Sequence, residues 1–157
     1  KLAPANFEFE HVSLGDVPLY NQDHENDMAA PAAKLKQQIA DAHGILFVTP
    51  EHNRSIPAAL KNAIDWGSRP WGHNSWIGKT AGIVGTSPSA AGTAMAQQHL
   101  RNILAAEGVN VLTTPEVFLQ FKEGLIDEQF NITNEDTRKF LQGWLDRYVA
   151  WVTRLAG

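Results

Sequence analysis

The sequence predicts an α/β protein, a doubly wound parallel sheet with helices on both faces, formed as a single domain over residues 1–157. Three observations predict it. Short apolar runs at 44–49, 79–86 and 109–119 are separated by stretches whose apolar residues recur every three or four positions, so strands alternate with helices. The run at 44–49 lacks a period of two, as expected of a parallel strand covered on both faces. Right-handed crossovers between such strands place helices on both sides of the sheet.

In chain order, Phe7-Glu8-Phe9-Glu10-His11-Val12 alternates apolar and polar residues and reads as an edge strand with one face against helices. Residues 15–23 read as an irregular loop, and Pro31 opens a helix with Leu35, Gln38, Ile39 and Ala42 on one face and Gly44 just past its end. Gly44-Ile45-Leu46-Phe47-Val48-Thr49 is the buried strand, and Pro50 ends it. Ser55 is expected to cap the next helix, with Pro57 in its first turn and Ile56, Leu60, Ala63, Ile64 and Gly67 forming its apolar stripe.

The turn-rich stretch 66–78 holds Trp66, Trp71 and Trp76, three of the five tryptophans, and suits either a lid packed on its own domain or the rim of a ligand site or subunit contact. A strand at 79–86, rich in small residues, ends in Thr86-Ser87-Pro88-Ser89-Ala90-Ala91-Gly92. A helix over 93–107 follows, with Ala96, Leu100, Ile103 and Leu104 on one face and Gly108 as its cap. Residues 109–112 and 117–119 read as a last strand interrupted around Pro115, followed by an acidic segment over 122–132. Thr133-Asn134-Glu135-Asp136 resembles a capped helix start with acidic residues at the positive end of its dipole. The closing helix aligns Phe140, Leu141, Trp144, Leu145, Tyr148, Val149 and Val152.

Composition narrows the function classes. A net charge of -4 without clusters gives no electrostatic footprint for nucleic acid or an anionic membrane. No stretch approaches the roughly 20 apolar residues of a bilayer span, and the amino terminus has no signal-peptide pattern, so a soluble protein of the cytoplasm is the expectation. The absence of cysteine removes thiolate catalysis and thiolate metal sites. The six histidines show no helical zinc pair. There is no Walker sequence, no Gly-x-Gly-x-x-Gly and no serine elbow. With no nucleophile, metal cluster or paired carboxylates, a cofactor is expected to carry the chemistry.

The loops at 50–54 and 86–92 end successive strands and should lie side by side where open α/β sheets bind ligands. Pro50 alone could simply stop a strand and Asn53 could simply close a turn. Glu51 reads as solvent-facing, and Lys61 and Arg101 as solvated helix positions. Taken together, however, Thr49-Pro50-Glu51-His52-Asn53-Arg54-Ser55-Ile56-Pro57-Ala58-Ala59-Leu60-Lys61-Asn62-Ala63-Ile64-Asp65-Trp66 resembles the signature of the NAD(P)H-dependent FMN reductases, a flavodoxin-like family that includes quinone and chromate reductases. Gly85-Thr86-Ser87-Pro88 with Gly92-Thr93 is similar to the loop after that family's fourth strand, and the closing residues also match.

The resemblance implies an enzyme that takes hydride from NAD(P)H on bound FMN and passes electrons to a quinone, an azo compound, chromate or free flavin. It implies that Pro50, Glu51, His52 and Asn53 line the isoalloxazine, that the Asn53 side chain bonds its polar edge, and that Ser87 and Pro88 flank the flavin or nicotinamide. It also implies a homodimer or homotetramer, with 71–76 and the closing helix as candidate contacts. Where this chain has His52 the family usually has Tyr. Nothing in residues 1–157 matches the family's phosphate loop, Gly-Ser-x-Arg-x-x-Ser-x-Asn, and Lys1-Leu2-Ala3-Pro4 reads as a helix ending. The sequence is therefore expected to be part of a longer chain carrying that loop and a first strand. Two other readings compete: a flavodoxin-like electron carrier, which the lack of an acidic cluster disfavours, and a flavin-free interaction module.

Overall fold

The computed structural model describes residues 1–156. Its elements follow one another as α1 (Ala30–Asp41), β1 (Ile45–Thr49), α2 (Ala58–Gly67), β2 (Thr80–Ser87), α3 (Ala94–Ala106), β3 (Asn110–Val111), β4 (Val117–Gln120) and α4 (Glu135–Ala156), with a short 3-10 turn at Gln22–His24 ahead of them. The sheet is parallel throughout. β1 pairs with β2 from Ile45↔Ala81 to Thr49↔Gly85. The other edge of β2 pairs first with β3 and then with β4, ending at Ser87↔Gln120, so β3 and β4 form one interrupted strand, as the break at Pro115 predicts.

Alternate residues of the strands feed two cores. On one face, Phe47, Ala81 and Ile83 pack with Leu35 and Ile39 of α1, Ala63 and Ile64 of α2, and Leu100 and Leu104 of α3. On the other, Leu46, Val84 and Val117 meet Trp144, Leu145, Tyr148 and Val152 of α4. Trp144 and Tyr148 stack at 5.5 Å. They lie directly on the strand because β2 carries glycine beneath them: a Cβ on Gly82 would sit 2.6 Å from Tyr148 Cδ2 and 2.9 Å from Trp144 Cη2.

Several expectations are corrected. Residues 7–12 form no strand, because no described strand lies between them and β1 to complete a ladder. They lie as irregular chain, with Phe7 N–H donating to Pro4 O and Glu10 receiving a hydrogen bond from Gln38 of α1. Lys1-Leu2-Ala3-Pro4 is likewise not helical. Val48, expected to be buried, is 69% exposed, because α4 packs on β2 and covers Leu46 and Val84 but not Val48.

Gly44 does not cap α1, whose C-cap is Ala42; it lets Val152 of α4 approach, where a Cβ would meet Val152 Cγ2 at 2.5 Å. Phe140 is 45% exposed because it falls at the edge of the α4 stripe, before the helix reaches the sheet at Trp144. Trp66 and Trp76 are buried in the domain, whereas Trp71 is 86% exposed.

Candidate active site

β1 ends at Thr49, opposite Gly85 of β2, which runs two residues further to Ser87, and both open at the same edge of the sheet. In the loop after β1, His52 and Ser55 exchange both backbone N–H···O=C bonds at 2.9 Å. Between them Asn53 (φ 49°) and Arg54 (φ 66°) both adopt left-handed backbone. Positive φ at both central residues makes this a tight turn of the type I′ class. Asparagine enters that region readily, but arginine rarely does.

The turn is fastened to α3 at two points one helical turn apart. Glu51 Oε2 accepts from Ala96 N–H at 3.1 Å, and Ser55 Oγ lies 2.9 Å from His99 Nδ1. The N-cap of α3, Thr93, makes no side-chain capping bond; its hydroxyl instead accepts from Gln97 Nε2 at 2.8 Å. Glu51 therefore supplies the cap from outside the helix, with a carboxylate at the positive end of its dipole. This also corrects two readings: Glu51 is a tether rather than a solvent-facing residue, and Ser55 does not cap α2. The α2 N-cap is Pro57, because the turn diverts the Ser55 hydroxyl toward α3.

The adjoining loop is close-packed. Ser87 hydroxyl donates to Gly92 O, and Gln120 Nε2 donates to Pro88 O at 3.1 Å. Gly92 has φ 58°, and a Cβ there would lie 2.7 Å from Phe118 C. A Cβ on Gly85 would lie 2.0 Å from Thr93 Oγ1 and 2.6 Å from Thr49 O, so glycine alone lets the two loops and α3 meet.

A second cluster fixes the chain before α1 against α2. Asn62 Oδ1 accepts from Tyr20 N–H at 2.8 Å, Trp66 Nε1 donates to Pro18 O at 2.7 Å, and Arg69 Nε donates to Glu25 Oε1 at 2.5 Å. Hydrogen bonds from Arg69 and Tyr20 hold the Glu25 carboxyl below its ordinary range, and the bond to Glu25 raises the Tyr20 phenol. Among the described residues no group of side chains is arranged to hold a metal ion. No described helix is long and apolar enough to cross a membrane.

With this geometry, the sequence profile of the NADPH-dependent FMN reductases matches residues 1–124. The chain belongs to this family. It is 52% identical over 151 residues to a 2-hydroxy-1,4-benzoquinone reductase of Burkholderia sp, covering 96% of this chain and 82% of the relative. It is 40% identical over 153 residues to a quinone reductase of Pseudomonas putida, covering 97% and 82% of the two chains. The structure matches the flavoenzyme NAD(P)H:(acceptor) oxidoreductase FerB from Paracoccus denitrificans with a TM-score of 0.93 and 41% identity, over 98% of this chain and 84% of that one.

This FMN reductase has the flavodoxin-like fold and is an FMN-dependent NAD(P)H oxidoreductase. The electron-carrier and flavin-free readings are set aside. Within the family fold, Pro50, Glu51, His52 and Asn53 form one contiguous turn, and Ser87 and Pro88 end the neighbouring strand. The exposed side chains of His52 and Asn53, together with the Glu51 and Asn53 N–H groups, which make no hydrogen bond among the described residues, provide donors at that edge. A flavin's pyrimidine edge presents ring carbonyls and nitrogens that accept such bonds, so the donor set fits the isoalloxazine. The tether through Ser55 and His99 and the left-handed Arg54 were missed from sequence. His99 lies 44 positions beyond its partner, and Arg54 is not a residue that signals a positive φ.

Proposed function

We propose that the turn over 50–53 holds the isoalloxazine through its backbone N–H groups and the Asn53 side chain, that Ser87 and Pro88 bound the opposite side, and that the acceptor is a small quinone. The observation that carries this reading is the α3-tethered turn, with free donors, beside the end of β2. When bound, FMN supplies two-electron chemistry, coupling NAD(P)H + H⁺ + quinone to NAD(P)⁺ + hydroquinone. The chain's own part is binding and orientation. Glu51 and Ser55, held by α3, keep the turn rigid before any ligand arrives, which reduces the ordering cost of binding. No side chain is required as acid or base, since solvent supplies the proton.

Quinones are favoured over chromate or azo compounds because the relatives are named for quinones, one of them for a 2-hydroxyquinone. Exposed Trp71 and Phe130, at 86% and 80%, supply apolar contacts for a homodimer or homotetramer, which light scattering on the eluting protein would detect.

The test is an FMN titration of the apoprotein by flavin fluorescence quenching. Asn53→Gly, which removes the side chain and keeps the left-handed backbone, is expected to weaken FMN binding by about tenfold, the loss of one hydrogen bond, while thermal unfolding stays within about 2 °C. An unchanged affinity would remove Asn53 from the site.

A further inference from the structure

Arg54 occupies a position that its side chain does not favour. A two-residue turn of this class takes Asn-Gly or Asp-Gly by default, because both central residues need positive φ. This chain has Asn53-Arg54, with Arg54 at φ 66°. Strained residues of this kind cluster at functional sites, and inference runs from the observed outlier to the function.

The guanidinium is also unspent. Arg69 pairs with Glu25, Arg101 with Glu116 and Arg138 with Glu135, whereas Arg54, like Arg147 and Arg154 of α4, makes no ion pair among the described residues and is exposed; of these three only Arg54 stands on the turn. The single carboxylate of the turn, Glu51, is committed to the amino terminus of α3. His52 on the turn and His99, which lies against Ser55, add no negative charge. The lip of the site therefore carries uncompensated positive charge on a planar fork of donors, suited to an anion with two adjacent oxygens.

Resting on the proposed quinone reduction at this turn, we infer that Arg54 is a specificity-determining residue selecting acidic 2-hydroxyquinones over uncharged quinones. The hydroxyl of such a quinone is conjugated to a ring carbonyl and ionises as a vinylogous carboxylic acid. Its oxygen and the carbonyl beside it offer the fork two neighbouring acceptors. An uncharged 1,4-quinone offers no such pair. Arg54 takes no part in electron transfer; it raises the occupancy of the anionic acceptor.

Two measurements on the holoenzyme test this. In steady-state turnover, the ratio of kcat/KM for 2-hydroxy-1,4-benzoquinone to that for 1,4-benzoquinone should fall about tenfold in Arg54→Gln and Arg54→Gly, roughly the loss of one charge-assisted contact at an exposed site. Arg54→Lys should keep most of the ratio, and added salt should lower it in the wild type but not in Arg54→Gln. Arg54→Gly adopts the turn without strain, so a fall there cannot be assigned to a misshapen loop. Without NAD(P)H, calorimetric titration of oxidised holoenzyme with 2-hydroxy-1,4-naphthoquinone should give about tenfold weaker binding in Arg54→Gln. An unchanged ratio and an unchanged dissociation constant would overturn the role of Arg54. A wild type that reduces neither quinone would overturn the quinone reading itself, and the calorimetric comparison would still decide Arg54.

Discussion

Glu51 shows how a single residue can serve two elements. Its carboxylate supplies the cap that α3 lacks from Thr93, and in doing so ties the turn after β1 to that helix. Glu51→Ala should cost about 1 kcal/mol, the usual worth of an N-cap, lowering Tm by about 2–4 °C. Glu51→Gln, which keeps an acceptor oxygen, should recover most of that loss; equal losses in the two variants would assign the effect to charge alone.

Glu25 carries the clearest pH signature. Its folded carboxyl is held below the ordinary 4.5 by the Arg69 and Tyr20 hydrogen bonds, so the unfolded chain binds that proton more readily. Its contribution to stability is complete above the ordinary value and is lost as pH falls through the lowered one. The fall of Tm with acid should therefore be shallower in Glu25→Gln than in the wild type. It should not vanish, since Asp127 and Glu135 are lowered in the same direction. Parallel Tm curves would contradict the shift. Neither the Glu51 cap on α3 nor the Glu25–Arg69 pair was legible in the sequence, because they join residues 45 and 44 positions apart. The Pro50 to Asn53 stretch was legible because its residues are contiguous.

Among elements, those with a strong period were readable and those that depend on a neighbour were not. α1, α3 and α4 begin and end within a few residues of expectation because each carries an uninterrupted three- and four-residue stripe. Asn134 Oδ1 accepts from Thr137 N–H at 2.8 Å, as the Thr133-Asn134-Glu135-Asp136 pattern anticipates. Gly108, at φ 72°, closes α3. Residues 7–12 alternate as a strand should, yet alternation supplies no hydrogen bonds without a partner strand.

The contact of α4 with the sheet hinges on Gly82. Gly82→Ala would drive a methyl into Tyr148 and Trp144, and should destabilise by about 1–3 kcal/mol as an overpacked core does. Gln97 is a second hinge, donating to Val117 O at 2.7 Å from inside α3. Gln97→Leu leaves that carbonyl unpartnered and should cost about 1–3 kcal/mol in chemical denaturation. A neutral Gln97→Leu would show that the carbonyl finds another donor.

At the scale of the whole molecule, parallel pairing is what turns sequence-distant loops into one site. β1 and β2 are joined through α2 on one face, so their carboxyl ends emerge together and bring residues 50–55 beside residues 87–92. Two glycines, Gly85 and Gly92, allow that approach, and α3 fastens the arrangement from beneath. The opposite ends of the strands are closed differently: Lys79 Nζ donates to Ala40 O and Ala42 O, satisfying the last carbonyls of α1. The most direct test of the account is an anaerobic titration of the FMN-loaded protein followed by its visible absorbance. One equivalent of NAD(P)H should bleach the flavin bands, and one equivalent of quinone should restore them. Flavin bands that stay unbleached by either nicotinamide would contradict it.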